Sequence, residues 1–471
     1  MSTGWKFEQP VLALAGLILA SETLAVELEL DLALSKIASD NIALAPEGLE
    51  ERDDITALEP SLVVTHDGPS LDVDIDYGAQ ILSYSRNSAL DDVYHQLASS
   101  VLLEAVPRWF YVETLADYGQ INADLSGRMS LSNIFFTGNR ADLLTLDLRP
   151  YVSHSFAGGT NLLVSTDFGR DQYDDPSIGD VDVRLFEFTL ASEEDGRTFL
   201  WAFEHQYVEL NYELSPEAKA QRAGFRLGTM VASMLQLFTA FGKESDYFSR
   251  SEADLVDDYW EVGIDWSTAR NQLVIAAGRR SFDDTARLLL GRQFGQNTLQ
   301  LSYSKQPQTT ELLTRDRRVR GDEAIRVLPD GSLGTAERFI YERSAFDMSV
   351  AFTNSFLDFS VYDENRLQRL DEMDMPLPAE KVQGFDFEWI WEFGARTQLA
   401  IGAGLYRRDI VEFDSPVDVE YRTIGVDHQL GLRTELSFWI GREMQIAGVD
   451  DPDNEYVGNY AGISISRTIF Q

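Results

Sequence analysis

The chain of 471 residues has no cysteine, only five histidines, and 39 lysines and arginines against 78 aspartates and glutamates. It also has no run of about twenty apolar residues, the length a helix needs to cross a bilayer. Each absence excludes something. Without cysteine there is no disulfide framework, no thiolate nucleophile and no thiolate-held metal. A formal net charge of -39 argues against nucleic acid, whose phosphates reward basic stripes. It suits cations, divalent bridges to anionic outer-leaflet lipid, a saline habitat, or simply a surface kept soluble by acid. The missing apolar run excludes a helical membrane protein.

Catalytic motifs are missing as well. There is no Gly-x-Ser-x-Gly, no His-Glu-x-x-His and no phosphate loop. His154 and Ser155 are neighbours, but successive strand residues point to opposite faces, so they do not form a nucleophile–base pair. The sequence is read as a non-enzyme without a cofactor.

What is present is alternation. Leu71, Val73, Ile75 and Tyr77 interleave with Asp72, Asp74, Asp76 and Gly78; Trp260, Val262, Ile264 and Trp266 interleave with Glu261, Gly263 and Asp265. Leu432 to Ile440 repeats the pattern. Each segment thus has one apolar and one wet face. The pattern recurs throughout, so the fold class predicted is all-β, a single antiparallel transmembrane barrel of about 22 strands, apolar outside and polar inside.

Connections alternate in length. Short turns are read at Asp67-Gly68-Pro69, Val106-Pro107-Arg108, Ala157-Gly158-Gly159, Glu194-Asp195-Gly196, Thr268 to Asn271, Gly295 to Asn297, Thr353 to Ser355, Phe393 to Ala395 and Gly431-Leu432. Glycine and asparagine supply positive φ there, and proline fixes φ. Long polar connections are read at Ser39–Asp54, Gln120–Arg140, Asp171–Asp180, Ser245–Val256, Lys305–Thr335, Asp363–Ala379, Asp409–Val417 and Glu443–Glu455. Short periplasmic turns and long outer loops are the wiring of outer-membrane barrels, and an even strand count puts both termini in the periplasm. The stretch Met230 to Phe241 reads equally well as an amphipathic helix.

Lys6, the apolar run Val11 to Ala20, and Thr23 and Ala25 together have the layout of a secretory signal peptide cleaved after Ala25. Residues 1–25 are therefore assigned to the signal and 26–471 to the barrel. The first strand, Glu27 to Ala38, starts at once, leaving no room before it for a plug domain. The bore is then open or blocked by its own loops.

Several residues bear on function. Trp260, Trp266, Trp389 and Trp391 lie on apolar faces and form a candidate lipid girdle. Trp260 and Trp266 are six residues apart, about 20 Å along a strand, close to the height of an apolar band. The opposite faces carry a candidate acidic lumen lining: Asp72, Asp74, Asp76, Glu261, Asp265, Asp358, Asp386, Glu388 and Glu392. Such a lining favours cations, and the Asp72 ladder is also a conceivable calcium holder. Asp450 to Asn454 offers hard oxygen ligands but lacks the glycine and distal glutamate of a calcium loop. Arg315, Arg317, Arg318 and Arg320 make the one dense basic run, a candidate contact for lipopolysaccharide phosphate or acidic polysaccharide, or a segment that folds inward onto the acidic lumen.

A family resemblance rests on residues in order along the mature chain. They are Asp40 to Pro46, Asp54-Ile55-Thr56 with Glu59 to Leu62, His95-Gln96-Leu97, Trp260 to Trp266, Gly278 to Phe282, Leu301 to Ser304, and Tyr460 to Ser466 with Phe470. In these the chain resembles the PEP-CTERM-system-associated outer-membrane β-barrel family. The resemblance implies a bacterial outer-membrane barrel exported through the periplasm, with outer-membrane lipid and lipopolysaccharide as surroundings. It also implies exopolysaccharide or export components as partners. The barrel assembly machinery would read the C-terminal strand. The chain departs from the usual aromatic end, because Gln471 follows Phe470, and Ile463, Ile465 and Ile469 take the opposite face from Phe470 unless a bulge intervenes. The function expected is a passive or export-associated pore with a cation-favouring bore. The alternative is a non-conducting barrel that presents acidic loops to polysaccharide or a secretion partner.

Overall fold

The computed structural model describes residues 26–123, 127–193, 197–245, 254–319, 333–371, 373–410, 416–446 and 454–470, with backbone alone at 316–319. The stretch read as a signal, residues 1–25, the Glu194-Asp195-Gly196 stretch read as a turn, Arg320 and Asp450 to Asp453 lie outside the described residues.

The chain is 22 strands wound into one antiparallel sheet. In order they are β1 (Glu27–Ser39), β2 (Asp53–Asp67), β3 (Leu71–Tyr84), β4 (Asp92–Val106), β5 (Phe110–Asn122), β6 (Arg140–Phe156), β7 (Thr160–Tyr173) and β8 (Val181–Ser192). Then follow β9 (Phe199–Tyr212), β10 (Ala218–Ala232), β11 (Leu235–Glu244), β12 (Asp257–Ser267), β13 (Asn271–Arg279), β14 (Asp284–Phe294) and β15 (Asn297–Thr309). The last are β16 (Arg338–Ala351), β17 (Ser355–Leu370), β18 (Glu380–Glu392), β19 (Thr397–Ile410), β20 (Val417–Gly431), β21 (Thr434–Ile446) and β22 (Tyr456–Phe470). Among the described residues a single α-helix, α1 (Thr310–Val319), interrupts them between β15 and β16, and a short 3-10 turn at Ser88–Leu90 links β3 to β4.

Every strand pairs with its sequence neighbours, and β1 pairs with β22. Closure gives the edge strands partners and removes the unsatisfied backbone that would be fatal in lipid. The closing seam also settles the C-terminal face. The register slips so that Leu30 opposes Phe470 and Asp31 opposes Thr468, leaving Ile469 in a bulge. Phe470 thereby joins outward Ile463 and Ile465.

The stretch read as a possible helix is instead the hairpin of β10 and β11, turning at Ser233 and Met234. Its alternation (Phe225, Leu237 and Phe241 outward) wins because each strand finds a partner on both sides. Several long connections are shorter than their polarity suggests. Strands continue through Gln120 to Asn122, Lys305 to Thr309, Asp363 to Leu370 and Glu443 to Ile446. Polar residues belong there because the strand ends project beyond the apolar band. Three tight outer connections, at 85–91, 213–217 and 280–283, carry little sequence signal and were not expected.

The outside is apolar. On β12, Trp260, Val262 and Ile264 are 40–49% exposed, while Tyr259 on the other face is buried. Next to the short turns stand Trp109, Phe156, Phe199, Phe294, Phe352 and Phe393, each 40–60% exposed. Toward the long-loop end Phe225, Phe241 and Trp260 sit side by side on β10, β11 and β12. Two aromatic tiers bounding an aliphatic belt match a bilayer and its interfaces.

Inner-face glycines let the sheet coil where strands crowd. At Gly242 a β-carbon would collide with the Ala223 carbonyl oxygen and the Gly224 backbone, with the Tyr259 ring beside it. Gly242→Val should therefore force β10 and β11 apart. The expected result is a clearly lower temperature for the heat-modifiable gel shift, with Gly291→Val as the tolerated comparison because its site is open.

Candidate functional site

The interior is the site, and its outer half is filled by the chain's own loops. The segment 127–136 leaves β5 and crosses the bore. At one end Ile134 and Phe135 pack with Ile37, Ile55, Leu82 and Tyr84 of β1, β2 and β3. At the other, Met129 lies among Ala345, Tyr362, Val382, Tyr406 and Val419, from β16 to β20. Polar bonds pin it: Ser130 donates to Glu443 at 2.8 Å, the Met129 amide donates to Gln445 at 2.9 Å, and Tyr456 donates to the Met129 carbonyl. The first outer loop joins this plug. Arg128 donates to the Ala43 and Leu44 carbonyls, and the Phe136 amide donates to the Ile42 carbonyl.

Helix α1 is the second crossbar. Thr309 caps its start by accepting the Leu312 amide, and Glu311 sits in the first turn, favourable at a helix N-terminus. The helix is rooted on β15 and β16, where Leu313 packs on Phe339 and Tyr341. Its other contacts are far round the wall. Arg315 is paired with Asp147 of β6 and, at 2.8 Å, with Asp171 of β7. Tyr173 of β7 donates to Glu311 at 3.5 Å. Further along the chain, Leu333 packs with Ile121, Leu143 and Ile178 of the opposite wall.

These contacts fix which strand faces point inward, and so where each candidate residue lies. Asp72, Asp74 and Asp76 share the inward face of β3 with buried Leu82 and Tyr84. Glu261 and Asp265 share that of β12 with Tyr259, and Glu261 meets Arg287 at 3.3 Å. Asp358 is inward on β17, bonded by Ser349. Asp386, Glu388 and Glu392 are inward on β18, and Asp386 accepts from Tyr406 and, at 3.1 Å, from Tyr421. They occupy three separate sectors of the wall. Only Asp358 and Glu388 are directly opposed, a like-charge pair that a cation would relieve. The four tryptophans lie on the outward faces. Trp389 and Trp391 stack at 5.6 Å, and Trp391 meets Phe393 at 4.1 Å.

Of the readings of the basic run, Arg315 follows the inward one: it is turned into the bore, where it pairs with the inward carboxylates Asp147 and Asp171. Arg317 and Arg318 are on α1, and their side chains lie outside the described residues.

Below the crossbars the described residues enclose a chamber of about 850 Å³, lined by Glu113, Asp117, Asp167, Arg149, Arg222 and Gln206, among others. Beside it a space of about 570 Å³ carries Asp31, Glu59, Asp76 and Asp117. Among the described residues no three His, Asp or Glu side chains converge to hold a metal ion. His154 points outward, its ring 3.6 Å from that of Trp109.

Sequence reasoning missed a buried ionic knot at the outer ends of β17 to β19. Glu380 receives Arg366 at 3.3 Å, Arg369 at 3.2 Å and Arg408. Arg369 also holds Glu337 at 2.7 Å. Charges at inward strand positions were the available signal, but alternation shows a face and not a partner. On the loops, the Ser177 hydroxyl and amide hold the Asp175 carboxyl below the usual range. The Lys305 ammonium, with the Asp284 amide, does the same for Asp283.

Geometry thus defines a closed 22-stranded transmembrane-type β-barrel with a partly plugged, charged bore. No family model matches the chain, and no curated protein matches it. Among solved structures it is similar to the siderophore receptor PirA of Acinetobacter baumannii, at 8% identity and TM-score 0.48, over 95% of this chain and 81% of that one. It is also similar to OccK2 (OpdF) of Pseudomonas aeruginosa, at 10% identity and TM-score 0.34, over 94% and 99% of the two chains. An anion-selective porin from Comamonas acidovorans gives 10%, 0.35 and the same coverage. At such values nothing about cargo or selectivity passes to this chain.

Proposed function

We propose that this protein is an outer-membrane conduit, narrowed at its outer mouth by its own loops and favouring cations in its bore. It would serve the exopolysaccharide and PEP-CTERM surface systems that the sequence resemblance implies. The inward acidic faces of β3, β12, β17 and β18 carry the reading. Carboxylates on the wall of a bore attract cations and repel anions across a pore a few Debye lengths long. The test is planar-bilayer recording of the detergent-purified protein under a potassium chloride gradient. The expected result is a small steady conductance with a cation-directed reversal potential. Asp72→Asn, Asp74→Asn and Asp76→Asn combined should move that potential toward zero. No conductance from wild type, or anion preference, overturns the reading.

The two crossbars favour a second reading, a barrel that stays shut and displays its outer loops to polysaccharide or a secretion partner. Under it wild type is silent in bilayers while remaining folded and heat-modifiable.

A further inference from the structure

The outer wall carries a small basic groove where β20, β21 and the first outer loop meet. Arg422 of β20 and Arg442 of β21 are directly opposed in register. Both lie on the outward face, one residue pair beyond exposed Ile424 and Ile440. Two cations directly opposite on neighbouring strands, their β-carbons about 5 Å apart, repel. Arg422 has Glu420 at 2.8 Å along its own strand. Arg442 makes no ion pair among the described residues; its closest polar contact is the Met444 sulfur at 3.9 Å. Arg52, from the first outer loop, lines the same open groove of about 600 Å³.

The groove has a second character below the arginines. Its floor is small, Ala38 of β1 and Ala461 of β22, and Ile424 and Ile440 form its apolar side. Nearby acid is already engaged: Asp40 accepts the Asn459 amide and side chain at 2.8 Å. Three guanidinium groups above an aliphatic hollow, at the height where the apolar belt ends, complement a molecule with an anionic head and a hydrocarbon tail. Guanidinium forks match phosphate oxygens, and an anion between Arg422 and Arg442 turns their repulsion into shared attraction.

We propose that this groove binds a phosphorylated lipid of the outer leaflet, its phosphate between Arg422, Arg442 and Arg52 and an acyl chain over Ile424 and Ile440. This rests on the outer-membrane part of the reading above, not on conduction. The occupied groove spans the β20 to β1 region, which includes the closing seam, so the lipid would brace the barrel where its two ends meet.

The test uses native mass spectrometry of the full mature barrel in detergent, titrated with bis-phosphorylated lipid A or its dephosphorylated form. Wild type is expected to retain the phosphorylated lipid at least tenfold better. Arg422→Gln with Arg442→Gln should abolish that preference, while Arg184→Gln, an outward arginine elsewhere on the wall, should keep it. Heat-modifiable migration of each variant shows that the barrel is intact. Equal binding of both lipids by wild type, or undiminished preference in the double variant, overturns the proposal. So does displacement of the lipid by an equal concentration of inorganic phosphate, which would show an anion site without a lipid. If the protein failed to take up detergent or to reside in outer membranes, the membrane reading itself would fall.

Discussion

Arg315→Gln should raise the single-channel conductance several-fold. The side chains of Arg315 and Asp171 are 10% and 1% exposed, and that of Asp147 10%. The arginine thus supplies positive charge to two inward carboxylates at the contact between α1 and the far wall. Removing one partner of a buried pair costs roughly 3–5 kcal/mol, because the remaining charge is stranded. The helix has an inexpensive escape: it swings away and water reaches Asp147 and Asp171. Swinging opens the bore and adds two carboxylates to its lining, so conductance and cation preference should rise together. Planar-bilayer recording against wild type checks both. Excision of residues 310–336 should give the same result at full size. Unchanged conductance in both variants would show that α1 does not obstruct the current path.

Glu380→Gln should loosen the outer ends of β17, β18 and β19. Glu380 is fully buried, and Arg366, Arg369 and Arg408 are 2–8% exposed at their side chains. Three guanidinium groups then share one fewer carboxylate, and a loss on the order of 3–5 kcal/mol follows from the stranded charge. The β-sheet ladder nearer the membrane is independent of this knot, so the damage is local. Limited proteolysis should find faster cutting in the 371–379 connection, with the heat-modifiable core intact. A barrel as protease-resistant as wild type would mean the arginines find other acids, such as Glu337, which Arg369 already meets.

Much of the wall was legible in the sequence. Alternation placed Trp260 outward and Glu261 inward, and turn residues such as Gly158-Gly159 and Gly295 marked the tight hairpins. Both are local properties of two or three consecutive residues. The β10–β11 turn at Ser233-Met234 was illegible because it holds no glycine, proline, asparagine or aspartate, and a single serine between apolar residues is a weak signal. The outer strand ends were misread because, beyond the apolar belt, a strand and a loop have the same polar composition. The bulge at Ile469 could be foreseen as a need but not as a fact, since the slip is defined only against Leu30 and Asp31.

The amino-acid sequence on its own determined that the chain is an acidic barrel of about 22 strands, because side-chain period and turn chemistry are written residue by residue. Tertiary structure alone decided that residues 127–136 and α1 cross the bore and that Arg315 meets Asp147 and Asp171. It also brought Arg422 beside Arg442. Those juxtapositions join residues 20 to more than 300 positions apart, and only strand register and loop trajectory say which distant side chains share a space.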